Sequence, residues 1–514
     1  MFKNRTLISI FCSVMVLITN SVVNFLMTPF IVSKLGVDAN GFITLANDFI
    51  TYANLVVIAL NSMAARFITI EYVRENYKKA NLYYNSVFWG NIVLTVTLLL
   101  PVICFIFRLE NIIYIPVHMV TDTKILFLFV FLNFFIGLAL PNWDCGTFVV
   151  NHLEKTYILQ ICTVLIRAAV LLVLFLVFTP KIWFVGVAAT IVNFVTLATN
   201  YFFTHKYTPY LKICLVREKV LFSIKAIKDL VGSGIWNSFS NIGTMCLNGL
   251  DLIVCNILLG PVTMGIVAIS KMLAGSIDEF SMSLSRTFIP KTVINYAKDD
   301  KQAILFDLGN AMKITTIALT TAFSGVVVFG EDFFRLWMPS QNAELLHILV
   351  VLAILKYFFT SGTQILYVVF PATNHVKEDA ISILISGVVS FIVTVTLIKI
   401  TDLGIYVVAG VSSIVLIMRN IFFVIPMSAK YMGFSWKQFF PYVGRSVFSC
   451  LCLTGMFIIL KMVLAQDTWF TFAGTVVLAA FSGIAFNFMI VFNKNEKKYL
   501  YKKVCSRLRN RRNG

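Results

Sequence analysis

Charge is what this sequence has least of. Asp, Glu, Lys and Arg make up only 13% of its 514 residues, about half the share in a soluble globular chain. That scarcity excludes a water-soluble fold. Acidic residues are the scarcer sign, 24 against 42 Lys and Arg. The five histidines are scattered and form no H-E-x-x-H, which removes that metalloprotease pattern. No G-x-x-x-x-G-K-[ST] string occurs, so ATP hydrolysis by a P-loop is excluded. The ten cysteines include no C-x-x-C pair at zinc spacing. Cys12, Cys104, Cys162, Cys246 and Cys255 lie inside apolar runs, and Cys450 and Cys452 are the one close pair. They read as small packing residues. Gly and Pro are not enriched, and the apolar runs do not alternate as β-barrel strands do.

What is present is apolar length. Hydrophobic residues are 59% of the chain, with 48 Phe, and mean hydropathy is +0.87. The runs fall at 6–32, 42–65, 84–107, 125–150, 157–178, 183–203, 232–258, 264–288, 306–330, 345–370, 380–400, 404–427, 440–464 and 469–492. Each is long enough to cross a bilayer as a helix. Lys3 and Arg5 ahead of the first run imitate a signal peptide. The run is too long for that, and no small-x-small cleavage site follows, so it reads as an uncleaved first span. The expected class is an all-α polytopic membrane protein with about 14 transmembrane helices.

An even count places both termini on one side. With the N-terminus in the cytoplasm, the inner segments hold about 29 Lys and Arg and the outer loops about 6. The inner set includes Arg66, Arg74, Lys78, Lys79, Lys206, Lys212, Arg217, Lys219, Lys225, Lys228 and the tail "KNEKKYLYKKVCSRLRNRRNG". The net charge of +18 is thus mostly a topology signal rather than a nucleic-acid surface. The tail also suits contact with anionic membrane lipids.

Two short strings match. "KLGVDANGF" (34–42) and "LLGPVTMGI" (258–266) each set a second glycine five residues after the first, Gly36 and Gly41 in one, Gly260 and Gly265 in the other. Both fall between the first and second run of a six-run set, on the same side. We read a parallel duplication of six-helix bundles, in which the glycines serve positive φ or close backbone approach. The expected division is a first bundle at 1–204, a basic linker at 205–230, a second bundle at 231–428, two extra helices at 429–493 and a basic tail at 494–514.

"NFLMTPFIVSKLGVDANGF", "GSGIWNSFSNIGTMCLNGLDLIVCNILLGPVTMG" and the set Phe329, Gly330, Phe333, Leu336 and Trp337 carry a resemblance. The chain resembles the Wzx-type flippases, the polysaccharide transport branch of the multidrug/oligosaccharidyl-lipid/polysaccharide exporter superfamily. The resemblance implies two bundles arranged as a V around a central cavity, as in the multidrug exporters. It implies alternating-access transfer of an undecaprenyl-diphosphate-linked glycan, such as an O-antigen, capsule or exopolysaccharide unit, across the bacterial cytoplasmic membrane. A polysaccharide polymerase and a chain-length regulator are the implied protein partners.

Ionisable residues inside spans are costly and mark cavities or partners. Arg167 and Lys356 lie mid-span with no acidic residue within a turn on their own helices. They are candidates for binding the substrate diphosphate, with a structural interhelix pair as the other reading. Lys313 and Arg419 would extend that basic surface. Asn20, Asn24 and Thr28 form a helical polar stripe, as do Asn237, Asn241, Thr244 and Asn248. Asn24 and Asn241 are the candidate sugar contacts. Asp251 and Lys271 read as an ion pair or a gate. Asp48, at a comparable place in the first repeat, and the neighbours Asp278 and Glu279 are candidate coupling carboxylates. One of the latter is expected to pair with Lys313. Asp144 is a further in-span charge. No cofactor or metal is expected; coupling to an H+ or Na+ gradient or to membrane potential is. Two rivals stand beside this reading within the superfamily, a cation-coupled drug exporter and a lipid II flippase. An enzyme is disfavoured, since no outer loop gathers paired carboxylates or a histidine cluster.

Overall fold

The structure is a computed structural model and describes residues 2–140, 145–150, 152–213, 222–298, 300–464, 466–492 and 497. Asp144, the linker's Arg217 and Lys219, and nearly all of the tail lie outside the described residues. Among the described residues, thirteen helices are long and apolar enough to span a membrane. A fourteenth, Pro261–Arg286, is 26 residues long, or about 39 Å at helical rise. Its Lys271, Asp278 and Glu279 make it too polar to be counted with the others. In chain order the helices are α1 (Phe11–Leu35), α2 (Val37–Val73), α3 (Tyr77–Phe107), α4 (Val117–Ala139), α5 (Leu153–Val177), α6 (Phe184–Tyr207), α7 (Gly234–Leu259), α8 (Pro261–Arg286), α9 (Lys301–Trp337), α10 (Ala343–Thr360), α11 (Val376–Ile400), α12 (Ile405–Met432), α13 (Trp436–Val463) and α14 (Trp469–Val491).

The chain divides into two compact units, Met1–Ile269 and Ser270–Gly514. This division records packing, whereas the boundary read at 231 records the repeat, so the two need not coincide. In the first unit α7 lies along α2 and also touches α3, while α1 packs on α5 and α6 on α4 and α5. In the second unit α9 is central, contacting α10, α13 and α14. The polar sequence "ALTTAFSG" fits that position because Thr320, Thr321 and Ser324 meet partners on neighbouring helices. Asn487 donates to the Thr320 hydroxyl at 2.8 Å, and Ser324 to the Cys450 carbonyl at 3.2 Å. Such bonds hold membrane helices together where apolar contact alone gives no preference.

The paired glycine strings explain themselves here. Gly36 and Gly260 have almost the same backbone, φ 96° and ψ 168° against φ 92° and ψ 168°. That region is open essentially to glycine alone. Each glycine ends one span and starts the next. Five residues on, Gly41 and Gly265 meet. A Cβ on Gly41 would lie 2.9 Å from the Gly265 Cα, and one on Gly265 would lie 2.2 Å from the Val37 carbonyl oxygen. The two strings are therefore alike in conformation and in contact with one another, within the first unit.

Besides α2, which breaks at Ser62–Met63, three spans are interrupted. α7 contains a π-helical turn at Met245–Gly249, and α12 another at Asn420–Val424. α10 breaks at Leu355. Interruptions of this kind gather at functional sites. Each lies beside a candidate residue: Asp251, Arg419 and Lys356.

Candidate functional site

The first unit contains a cavity of about 670 Å³ between α2, α3, α4, α5 and α6. The stripe Ile50, Asn54, Val57 and Asn61, at the three- and four-residue spacing of a single helix face, gives one wall, continued by Ile68 beyond the break at Ser62–Met63. Amides furnish its polarity. Asn61 and Asn91 exchange reciprocal hydrogen bonds at 2.9 and 3.0 Å. Asn133 donates to the Thr190 hydroxyl at 3.0 Å, and Asn193 donates to the Asn133 carbonyl at 3.2 Å. Asn54 makes no side-chain hydrogen bond among the described residues and faces the cavity. The one charged residue in the lining is Arg167. Its guanidinium has a single side-chain contact, with the Asn24 carbonyl oxygen at 3.5 Å. Among the described residues no carboxylate pairs with it.

Arg167 thus joins two of the predicted features, since Asn24 belongs to the α1 stripe. Asn24, Asn241 and Thr244 are all exposed. Asn241 turns its amide onto the Asn237 carbonyl at 2.7 Å, and Asn237 donates to the Ser62 hydroxyl at 3.3 Å. A polar stripe left uncovered within a span suits a watered path better than lipid.

Asp48 and Asp251 converge in the same unit. Both carboxylates act electrostatically on the Tyr52 hydroxyl, which donates to the Gly249 carbonyl in the π-turn of α7. Tyr52 thereby ties α2 to α7 where that helix is irregular. Asp251 belongs to the first unit and Lys271 to the second. Lys271 precedes Asp278 by seven residues, two turns on one face of α8.

In the second unit the predicted cations are engaged. Lys356 Nζ lies 2.8 Å from Asp278 Oδ1 and 2.9 Å from Oδ2. Tyr357 donates its hydroxyl to Oδ1 at 2.7 Å. Of the two neighbours, one of which was expected to pair with Lys313, Asp278 meets Lys356, and Lys356 takes the structural-pair alternative. Glu279 points elsewhere and is exposed. Arg419 is buried; it pairs with Asp379, donates to the Ser382 hydroxyl at 3.0 Å, and stacks over the Tyr367 ring at 5.1 Å. Lys313 is buried on α9, its ammonium 5.6 Å from the Phe492 ring centre.

The amides of the first-unit cavity were not singled out in the sequence. Asn91 and Asn133 are lone polar residues in apolar runs, while Asn61 neighbours Ser62, and Asn54 and Asn193 follow Thr51 and Thr190 by three. The available signal was their recurrence in five different places, not any local pattern.

Comparison with solved structures identifies the fold. The fold is that of solved MATE-family multidrug resistance transporters and of the lipid II flippase MurJ. It superposes on a lipid II flippase, MurJ, in an inward closed conformation, with TM-score 0.60 and 14% identity, over 97% of this chain and 100% of that one. It superposes on an inward-facing multidrug resistance transporter of the MATE family with TM-score 0.57 and 13% identity, over 81% of this chain and 99% of that one. In sequence it is 26% identical over 482 residues to an uncharacterized membrane protein, EpsK, of Bacillus subtilis (strain 168), covering 93% of this chain and 94% of the relative. No family model matches the sequence.

Proposed function

We propose that this chain is a flippase. It carries a polyprenyl-diphosphate-linked oligosaccharide across the bacterial cytoplasmic membrane for surface-polysaccharide assembly. The observation that carries the reading is Arg167, which stands in an amide-lined cavity without a carboxylate partner among the described residues. An arginine held this way offers a forked donor set to a phosphate. The surrounding asparagines offer paired donors and acceptors to sugar hydroxyls. A solved neighbour of like fold is itself a lipid II flippase, which supports a lipid-linked cargo. The exposed stripes through Asn24 and Asn241 supply a polar route, while the lipid tail stays in the bilayer. The Lys and Arg distribution orients both termini to the cytoplasm. A polymerase and a chain-length regulator are the partners this function calls for.

The second reading is a drug exporter, favoured by the likeness to multidrug transporters. A site for cationic drugs calls for carboxylates, and the first-unit cavity has none in its lining. The test is mass spectrometry of lipid extracts from cells depleted of this protein. Accumulation of one complete diphosphate-linked repeat unit, with surface polysaccharide lost, is the expected result. Accumulated lipid II moves the substrate to peptidoglycan. No carrier-linked glycan, together with altered drug sensitivity, refutes the reading. Arg167→Gln should reproduce the depletion phenotype at normal membrane abundance.

A further inference from the structure

Asp278 is built as a cation site, and its cation is a residue of the chain. The α10 break brings two consecutive residues onto one carboxylate. In a regular helix neighbours diverge by about 100°. Here the turn at Leu355, with its amide on the Leu352 carbonyl at 3.3 Å, is followed by Lys356 and Tyr357, and both reach Asp278. The ammonium bridges both carboxylate oxygens, and the tyrosine hydroxyl adds a third donor. The Lys356 side chain is 13% exposed and the Asp278 side chain 39%, so the acid is part-exposed while the lysine stem is packed away. The ammonium also lies 5.2 Å from the Tyr357 ring centre, a second favourable contact for a cation.

We infer that Lys356 is the resident cation of this site, that it keeps Asp278 closed to external Na+ and protons, and that coupling of transport to an ion gradient does not run through Asp278. A sodium ion would have to shed its water and lose translational freedom to displace the lysine. The lysine is already tethered beside the acid by its own backbone. A bare carboxylate in a span is costly, and the lysine removes that cost in every state in which the pair stays closed. The inference concerns the second unit alone and stands whether or not the chain moves a glycan.

The test is thermal unfolding of the purified full chain in detergent, at equal ionic strength, in NaCl, n-butylammonium chloride or choline chloride. The wild type should melt at the same temperature in all three. Lys356→Ala should melt several degrees lower in choline, and NaCl or butylammonium should restore part of the loss by filling the vacated site. Lys356→Ala with Asp278→Asn should show no cation-specific response. A sodium-specific rise in the wild type that Asp278→Asn abolishes would overturn the inference, as would a Lys356→Ala protein indifferent to both small cations. Where Lys356→Ala yields no folded protein, recovery in the double variant supports the pairing, and failure of that recovery overturns it.

Discussion

The contact between the two glycine strings permits a sharp test, because α8 carries its own control. A Cβ on Gly265 would sit 2.2 Å from the Val37 carbonyl oxygen and 2.7 Å from the Val37 carbonyl carbon. Those are backbone atoms at the start of α2, so no side-chain rotation relieves the clash. The helices must part, and overpacking of this kind costs about 1 to 3 kcal/mol. Gly275 lies ten residues along the same helix, and a Cβ there would meet nothing within 4 Å. Alanine there gains about 0.5 to 1 kcal/mol of helix preference. Gly265→Ala gains the same preference, so the two substitutions, chemically identical and on one helix, should differ by the clash alone, about 1 to 3 kcal/mol. Thermal melts of both variants in one detergent read the difference directly, with Gly265→Ala below wild type and Gly275→Ala at or above it. A Gly265→Ala protein that melts with or above Gly275→Ala would refute the close-approach argument. Adding Gly41→Ala to Gly265→Ala should cost less than the sum, because helices already displaced by the first methyl have room for the second.

Two further outcomes follow from ion pairs of different kinds. Arg419→Met leaves the Asp379 carboxylate partly buried without its cation; losing one member of a buried pair costs about 3 to 5 kcal/mol, so folded protein in the membrane should fall, and adding Asp379→Asn should restore much of it. Unchanged abundance of Arg419→Met would show that the pair is not structural. Outside the spans, the Lys124 ammonium 2.6 Å away holds the Glu110 carboxyl below its usual range. A depressed acid stabilises above its unfolded-state pKa and loses that contribution as pH falls through the folded-state value, so Glu110→Gln should melt slightly below wild type at neutral pH and the gap should close in acid. A gap that widens as pH falls would contradict the assignment.

Much of this architecture was legible because bilayer physics writes it locally. Twenty apolar residues in a row need no partner to be read as a span, and Lys271, Asp278 and Glu279 only obscure that for α8. The glycine strings were legible for the same reason, since a positive φ is a property of one residue. Which charges pair was not legible. Asp278 and Lys356 are 78 residues apart, and Arg419 and Asp379 are 40 apart. Meeting depends on the relative rotation and depth of two helices, which hydropathy does not record. Lys356 and Arg167 look alike in sequence, each a lone cation in mid-span, and only the packing around them separates a neutralised lysine from an available arginine. The cavity amides were missed on similar grounds. Asn61 and Asn91 gain meaning only when α2 and α3 set them face to face.

Three in-span cations of the second unit differ from Arg167 of the first in what they meet. In the second, Lys356 is closed on Asp278, Arg419 on Asp379, and Lys461 on Asp332 at 2.5 Å. Each pair joins different helices, so each fixes their register as well as cancelling charge. In the first unit Arg167 has only the Asn24 amide for company and opens on a cavity of amides. A cation kept in a span without a carboxylate is a standing cost unless water or an anion meets it. The same cavity offers no such cost for a neutral sugar, because amides can satisfy one another, as Asn61 and Asn91 do, and re-pair with hydroxyls when a ligand arrives. The contrast is chemical: Lys356, Arg419 and Lys461 are each paired with a carboxylate of another helix, whereas Arg167 meets an amide, and on the flippase reading proposed above that leaves its charge to an anionic ligand. Exchanging the two roles is the corresponding perturbation. A carboxylate introduced beside Arg167, by Asn24→Asp, should close the arginine as Lys356 is closed, abolishing transport while raising thermal stability. Transport that survives with Arg167 so paired would place the anion's binding site elsewhere.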